Sequence, residues 1–234
     1  MSNLLSDTVR PSDMPQSPKS KQGPALTLQQ QLTQQRCALL VIDMQNDFVA
    51  DDGRLAKWGR DPVLVRGIID QVNQLVEQAR AAGQLIIWVA TSHSFEEALP
   101  NYLSVYLRDV LEDQWTEDQL LVRTGSAGAQ WHKDMTHPLP DEVQITKNMY
   151  SAFRGTRLKQ ILDAHGVRTL VLAGCNTNVC LHSTATDAFF DGYYPILCED
   201  ACATSSAEIH EAIIATHRNF YGLTATLGQI KALW

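Results

Sequence analysis

The stretch Thr169-Leu-Val-Leu-Ala-Gly-Cys-Asn-Thr-Asn-Val-Cys180, continuing as Leu181-His-Ser-Thr-Ala-Thr-Asp-Ala-Phe-Phe-Asp191-Gly192, holds a strand, a turn and a helix in succession. The apolar run Leu170 to Ala173, ended by Gly174, suits a strand buried on both faces of a parallel sheet. Leu181, Ala185, Ala188 and Phe189 then recur at helical spacing, and Gly192 closes the pattern. Asn176, Thr177 and Asn178 lie between, each a good N-cap residue. Cys180 thereby falls in the first turn of a helix that follows the carboxyl end of a strand. The free N–H groups and the dipole of such a turn favour a thiolate. That placement fits a nucleophile. It equally fits a small buried apolar residue, the ordinary fate of a free cysteine.

The same unit recurs outward along the chain. Cys37 to Ile42 is an apolar strand ending in Asp43-Met-Gln-Asn-Asp47-Phe48. Asp61-Pro62 reads as an N-cap and a first helical position. Val63, Leu64, Ile68, Ile69, Val72, Leu75, Val76 and Ala79 predict one helix behind it, stopped by Gly83. Leu85 to Ala90 is a second strand. Glu142 to Thr146 is another, ending at Lys147, and a short helix with Leu158, Ile161 and Leu162 runs from there to Gly166. Pro195 to Cys198 is a strand leading into Glu199-Asp200-Ala. Ser205 and Glu208 have capping-box spacing ahead of a helix carrying Ile209, Ile213 and Phe220, and Leu223 to Thr226 is a last short strand.

Between Thr91 and Leu139 the pattern weakens. A helix over Leu103–Leu111 and a loop over Gly125–Gly128 are expected there, with His93, Tyr102, Trp115 and Trp131 set among them. So long a connection is a candidate binding loop. Residues 1–36 differ again: Pro11, Pro15, Pro18 and Pro24, then Gln29-Gln-Gln-Leu-Thr-Gln-Gln35, mark a polar, Pro/Gln-rich N-terminal extension with at most one short helix. Residues 37–234 form the folded domain. Its alternation of strands and helices implies an α/β fold, a parallel sheet covered by helices on both faces and wired by right-handed crossovers.

Composition narrows the function. A chain of 234 residues, 44% hydrophobic, can bury a full core. Its formal net charge of −7 argues against a nucleic-acid or anionic-membrane partner. No apolar run approaches the ~20 residues of a membrane span, and Met1 to Val9 carries no signal-peptide pattern. The five cysteines, Cys37, Cys175, Cys180, Cys198 and Cys202, form no CxxC pair, which suits a reducing, cytoplasmic setting. No Gly-rich phosphate fingerprint follows the first strand, so no nucleotide cofactor is expected.

Asp43, Lys147 and Cys180 each follow a separate strand at its carboxyl end. In a doubly wound sheet those ends share one edge, so the three side chains can converge. A base, a cation and a thiol make a coherent set, because an ammonium lowers a thiol pKa and a carboxylate can take its proton. The plainer alternative is an Asp43–Lys147 ion pair that caps the sheet.

Three segments resemble the signature motifs of the isochorismatase-like cysteine hydrolases. They are Leu40-Val-Ile-Asp43-Met-Gln45-Asn-Asp-Phe48, Lys147-Asn-Met-Tyr-Ser151-Ala-Phe153 and Gly174-Cys-Asn-Thr177-Asn-Val-Cys180. Ala185-Thr-Asp187-Ala, Gly192-Tyr and Glu199-Asp200-Ala match as well, and the likeness runs from about Cys37 to the C-terminus. It implies a three-layer α/β/α Rossmann-like domain with a six-stranded parallel sheet of order 3-2-1-4-5-6. It also implies Cys180 as nucleophile, Asp43 as general acid/base and Lys147 as their electrostatic partner. A cis Cys175–Asn176 peptide would turn the Asn176 N–H to join that of Cys180 as an oxyanion hole. Gln45, Phe48, Trp58, Tyr150, Ser151, Phe153 and Thr177 are candidates for holding or walling in the substrate, with Gln45 and Asn46 able to orient Asp43.

The implied reaction is hydrolysis of a small amide or ureide through a thioester, in a homodimer or homotetramer with no cofactor. Nicotinamidases of the superfamily carry a metal site with an Asp two residues before a His. Here Thr91-Ser92-His93 offers no such acid, and His132 and His137 read as solvated loop residues, so no metal is expected. Two rival readings remain: vinyl ether hydrolysis of the isochorismatase type using Asp43 and Lys147, and a non-catalytic scaffold whose Cys180 senses oxidants with Cys175 as its nearest thiol.

Overall fold

A computed structural model describes residues 26–97, 100–101, 105 and 116–234. Six parallel strands form its sheet: β1 (Cys37–Ile42), β2 (Leu85–Thr91), β3 (Val143–Lys147), β4 (Thr169–Cys175), β5 (Tyr194–Ala203) and β6 (Leu223–Ala225). Their order is β3-β2-β1-β4-β5-β6, the 3-2-1-4-5-6 arrangement that the motifs imply. β1 and β4 lie side by side at the centre, in register from Cys37↔Thr169 to Ile42↔Gly174. Every residue of both is buried, which is why both read as unbroken apolar runs.

The pleat of β1 divides its side chains between two cores. Leu39 and Val41 pack with Val72, Leu75 and Val76 of helix α2 (Ile69–Ala81), beside a helix α1 (Leu28–Thr33) that precedes the first strand. Ala38, Leu40 and Ile42 pack on the other face with Leu158 and Leu162 of α3 (Leu158–Ala164) and Ala185 and Ala188 of α4 (His182–Phe190). Helix α5 (Ala207–Phe220) contributes Ile214 to that second core, and α6 (Leu227–Lys231) contributes Ile230 to the first. Burial of each such Leu or Ile contributes roughly 1.5–3 kcal/mol, so the sheet centre is the most firmly held part of the molecule.

Gly174 is the residue that lets β4 approach β1. It has φ +119, and a Cβ there would lie 2.0 Å from the Ile42 carbonyl oxygen. The β4–β5 register shifts at the same point, between Leu172 and Gly174. The strand therefore ends in an irregular corner, and the chain turns out of the sheet toward Cys180.

Several expectations are corrected. The helix expected from Val63 to Ala79 is two pieces, Val63–Arg66 and Ile69–Ala81. They are separated at Gly67 and Ile68, so that Val65 turns inward while Val63 and Leu64 stay exposed. The cap of α5 is Ser206, one residue after the expected Ser205, and it accepts the Ile209 N–H. That shift of register turns Ile214 and His217 inward and leaves Ile209 and Phe220 exposed. On α4, Phe189 is likewise exposed. Glu142 precedes β3 rather than opening it, and its carboxylate accepts from Arg80 Nε, Trp88 Nε1 and the Leu139 N–H. β5 continues through Asp200 to Ala203. The expected helix Leu103–Leu111 apart from Val105, together with Tyr102, Trp115 and residues 1–25 of the extension, lies outside the described residues. Its last part, α1, packs on the domain: Leu32 is buried, and the Gln31 carbonyl accepts from the Thr169 hydroxyl.

Candidate active site

The carboxyl ends of β1, β2, β3 and β4 meet in one buried polar cluster. Asp43 follows β1 in the left-handed region at φ 57, a conformation that Asp tolerates better than most residues. Its backbone N–H donates to the Val89 carbonyl, which fixes the turn against β2. Lys147 closes β3 and Thr91 closes β2. Asp43 and Lys147 have fully buried side chains, and Cys180 is buried as well.

The Lys147 ammonium has three N–H donors, and three partners surround it. Nζ lies 2.8 Å from Asp43 Oδ2 and 3.4 Å from Cys180 Sγ, and it also donates to Thr91 Oγ1. The Thr91 hydroxyl in turn donates to the other carboxylate oxygen, Asp43 Oδ1, at 2.8 Å. Burial alone would disfavour the ammonium, but Asp43 and Cys180 outweigh it and raise the Lys147 pKa. Lys147 therefore rests as a cation.

The thiol behaves otherwise than its position suggests. Burial first, and then the Asp43 carboxylate, push the Cys180 pKa up, and Lys147 recovers only part of the shift. The thiolate expected from the helix terminus is thus replaced by a resting thiol beside the Asp43 carboxylate. The local geometry gives one reason. Thr177–Leu181 is a π-helical turn, its cap residue Asn176 makes no side-chain capping bond, and regular α-helix begins only at His182. The Cys175–Asn176 peptide ahead of this turn is cis. Cys175 is fully buried, with its thiol donating to the Asp43 carbonyl at 3.1 Å.

Cys180 opens on a cleft of about 510 Å³ whose walls include Phe48, Trp58, Tyr150, Asn176, Asn178 and Val179. Four other expected substrate contacts lie elsewhere. Gln45 is 1% exposed and does not line the cleft. Its amide clamps the Thr91 backbone, accepting the N–H at 2.8 Å and donating to the carbonyl at 2.8 Å. It thereby holds Thr91, and only through Thr91 does it act on Asp43. Ser151 is buried, its hydroxyl accepting the Phe153 N–H at 3.2 Å, while the Phe153 ring packs against Tyr193 at 5.8 Å. The Thr177 hydroxyl pairs with His210 Nδ1 at 2.9 Å, tying the cysteine turn to α5.

Asn46 reaches the Ala127 carbonyl instead of Asp43. Asp47 bonds loop backbone, accepting from the Arg54 and Val122 N–H groups. His132 is buried rather than solvated, whereas His137 is exposed. Burial also lowers the pKa of His132. His182 is half-buried with its ring against Tyr221. Among the described residues no three His, Cys, Asp or Glu side chains come close enough to hold a metal.

Thr91 is the site residue that the sequence reading missed. It lies at the carboxyl end of β2, the strand between those of Asp43 and Lys147. The strand-end argument that picked out its neighbours therefore applied to it equally. A neutral hydroxyl simply carries no chemical flag of its own.

A parallel α/β sheet with a buried acid, lysine and cysteine gathered at the carboxyl ends of its strands places the protein among the three-layer α/β/α folds with a strand-end site. Residues 37–229 match the family model of the isochorismatase domain. The chain belongs to the isochorismatase family. It is 36% identical over 196 residues to the ureidoacrylate amidohydrolase RutB of Klebsiella pneumoniae, a match covering 80% of this chain and 82% of that one. Among solved structures it resembles an isochorismatase family protein of Desulfovibrio vulgaris (TM-score 0.70, 26% identity, 85% of this chain and 98% of the other). It also resembles the N-carbamoylsarcosine amidase of Thermoplasma acidophilum (TM-score 0.65, 26% identity, 82% and 96%).

Proposed function

We propose that the protein is a cysteine hydrolase of non-peptide C–N bonds, acting on a small ureide or amide through a thioester on Cys180. The observation that carries this reading is the placement of one ammonium 2.8 Å from Asp43 and 3.4 Å from Cys180, at the floor of a cleft. A lysine so placed can hold the carboxylate in position and stabilise a thiolate as it forms. The similarity to an amidohydrolase and an amidase supplies the bond type.

Asp43 takes the thiol proton while Sγ attacks the carbonyl carbon. The developing oxyanion turns toward the N–H groups of Asn176 and Cys180, both of which line the cleft. Loss of one such donor typically costs ~3–4 kcal/mol of transition-state stabilisation. Asp43 then delivers its proton to the departing nitrogen as the C–N bond breaks, leaving an acyl thioester. Water, deprotonated by Asp43, attacks that thioester, and the proton returns to Sγ as the acid leaves.

The five cysteines are free and buried, as a reducing compartment requires, which supports the cytoplasmic expectation. Exposed Phe189, Phe190 and Phe220 offer an apolar face consistent with a homodimer or homotetramer. An oxidant-sensing scaffold is disfavoured, because burial pushes the pKa of the nearest thiol, Cys175, well up and its Sγ is already bonded to backbone.

The test is a hydrolysis screen of purified protein over small ureides and amides, with mass spectrometry of the quenched enzyme. Turnover with an acyl adduct on Cys180, both abolished in Cys180→Ala, is expected. Full activity of Cys180→Ala on any of these substrates overturns the mechanism. Cleavage of isochorismate that survives Cys180→Ala moves the assignment to the vinyl ether reading.

A further inference from the structure

The cleft walls are mostly apolar: Phe48, Leu55, Trp58, Leu121, Val179 and Ile209 all face it. Among the described residues no carboxylate lines it, and Arg60 is the one cation that does. The other cation of the site, Lys147, lies below Cys180 with its ammonium already engaged by Asp43, Thr91 and the thiol. It has no donor left for a substrate group. Arg60 is exposed, and among the described residues its guanidinium forms no salt bridge. Its backbone is nevertheless fixed, because the Arg60 N–H donates to the Leu55 carbonyl and closes the turn after the short helix Arg54–Lys57.

We infer that Arg60 is a specificity-determining residue that receives an anionic group, a carboxylate, at the end of the substrate remote from the scissile C–N bond. The inference rests on the hydrolase reading above and narrows it to ureides or amides of a small carboxylic acid. Three physical points lead there. A carboxylate placed in an apolar cleft loses hydration and needs a compensating charge. A guanidinium supplies that charge as a planar fork matched to a carboxylate. The protein as a whole carries a formal charge of −7 and repels anions at long range. A local cation at the cleft wall is what would reverse that preference for one orientation of the substrate. A neutral ureide would gain nothing from it.

The experiment compares matched pairs: N-carbamoyl amino acids with one to three carbons between the ureide and the carboxylate, each beside its uncharged methylamide. On wild-type protein the acids are expected to have the lower KM. Arg60→Gln should raise KM for the acids about ten-fold or more, with kcat and the methylamide constants essentially unchanged. Arg60→Lys should recover part of the loss. Equal losses on acid and methylamide, or no change on either, overturn the inference while leaving the hydrolase reading intact.

Calorimetric titration of the same acids into a Cys180→Ser protein separates the two readings from the other side. If nothing in the panel is hydrolysed but binding of an acid still weakens about ten-fold with Arg60→Gln, the anion site stands and the reaction falls. Binding of the acids that is indifferent to Arg60→Gln removes the anion site whatever the reaction.

Discussion

Replacing Thr91 with valine tests the polar cluster more sharply than removing any charged member of it. Valine has nearly the same shape as threonine, so the substitution opens no cavity in a position that is 2% exposed. It deletes a hydroxyl that donates to Asp43 Oδ1 at 2.8 Å and accepts from Lys147. Two hydrogen bonds to charged groups are lost, each of which contributes about 1.5–3 kcal/mol. Asp43 Oδ1 is then buried without a replacement donor. The Lys147–Asp43 bond at 2.8 Å survives and offsets part of the loss. A net destabilisation of about 2–3 kcal/mol follows, read as a drop in unfolding free energy in urea.

The catalytic effect comes through position. With Oδ1 released, the Asp43 carboxylate can rotate about the Lys147 bond and away from the thiol that it deprotonates in the proposed mechanism. If half or more of that 2–3 kcal/mol is expressed in the transition state, kcat falls about ten- to a hundred-fold. KM should change little, because Thr91 does not line the cleft. Thr91→Ser keeps the hydroxyl and should restore most of kcat. Two results refute the reasoning: Thr91→Val with wild-type kcat, or Thr91→Ser as impaired as the valine variant.

Two further outcomes concern stability. His217 is fully buried, with Nε2 donating between the Pro195 and Leu223 carbonyls, and burial lowers its pKa from 6.5 to about 4. The unfolded chain therefore binds this proton first, so the contribution is fully present above pH 6.5. It is lost as pH falls from 6.5 toward 4, by about 3 kcal/mol in total. Urea titrations across that range should show the slope, and His217→Gln should flatten it even if it lowers stability throughout. Gly174→Ala puts a Cβ 2.0 Å from the Ile42 carbonyl oxygen at φ +119. The expected cost is about 3 kcal/mol or more, visible as a lower Tm or loss of soluble protein, and a Tm equal to wild type would refute the close-approach argument.

The fold was legible because its central strands are buried on both faces. Such strands cannot alternate, so Cys37–Ile42 and Thr169–Cys175 stand out as apolar runs, each followed by a polar cluster at its carboxyl end. The errors fall where a pattern meets a surface. Phe189, Ile209 and Phe220 are large and apolar, so periodicity counts them as core, yet all three are exposed, Ile209 on the wall of the cleft. Single-residue offsets are similarly invisible, since Ser205 and Ser206 are equally good caps and only the backbone selects the second. At the site, ionisable residues announced themselves and neutral ones did not. Thr91 has no titratable group, and Gln45 was assigned to substrate when its amide pairs with backbone like an extra strand residue.

The thiol shows why position and environment must be weighed separately. A helix terminus lowers a thiol pKa through a partial charge of about half an electron that decays within one turn. Full burial opposes it, and beside the Asp43 carboxylate the balance at Cys180 lies on the side of the thiol. A resting thiol has a mechanistic consequence. A preformed thiolate would need no base for the first step, and Asp43 would serve only to hold Lys147. In the mechanism proposed above, with the proton still on sulfur, the carboxylate accepts it as the C–S bond forms, so negative charge passes from Asp43 through sulfur to the carbonyl oxygen. The charge ends near the Asn176 and Cys180 N–H groups at the moment it develops. Lys147, bonded to both Asp43 and Cys180, faces the negative charge while it passes from the one to the other, and hands it to the backbone N–H groups as the C–S bond is completed.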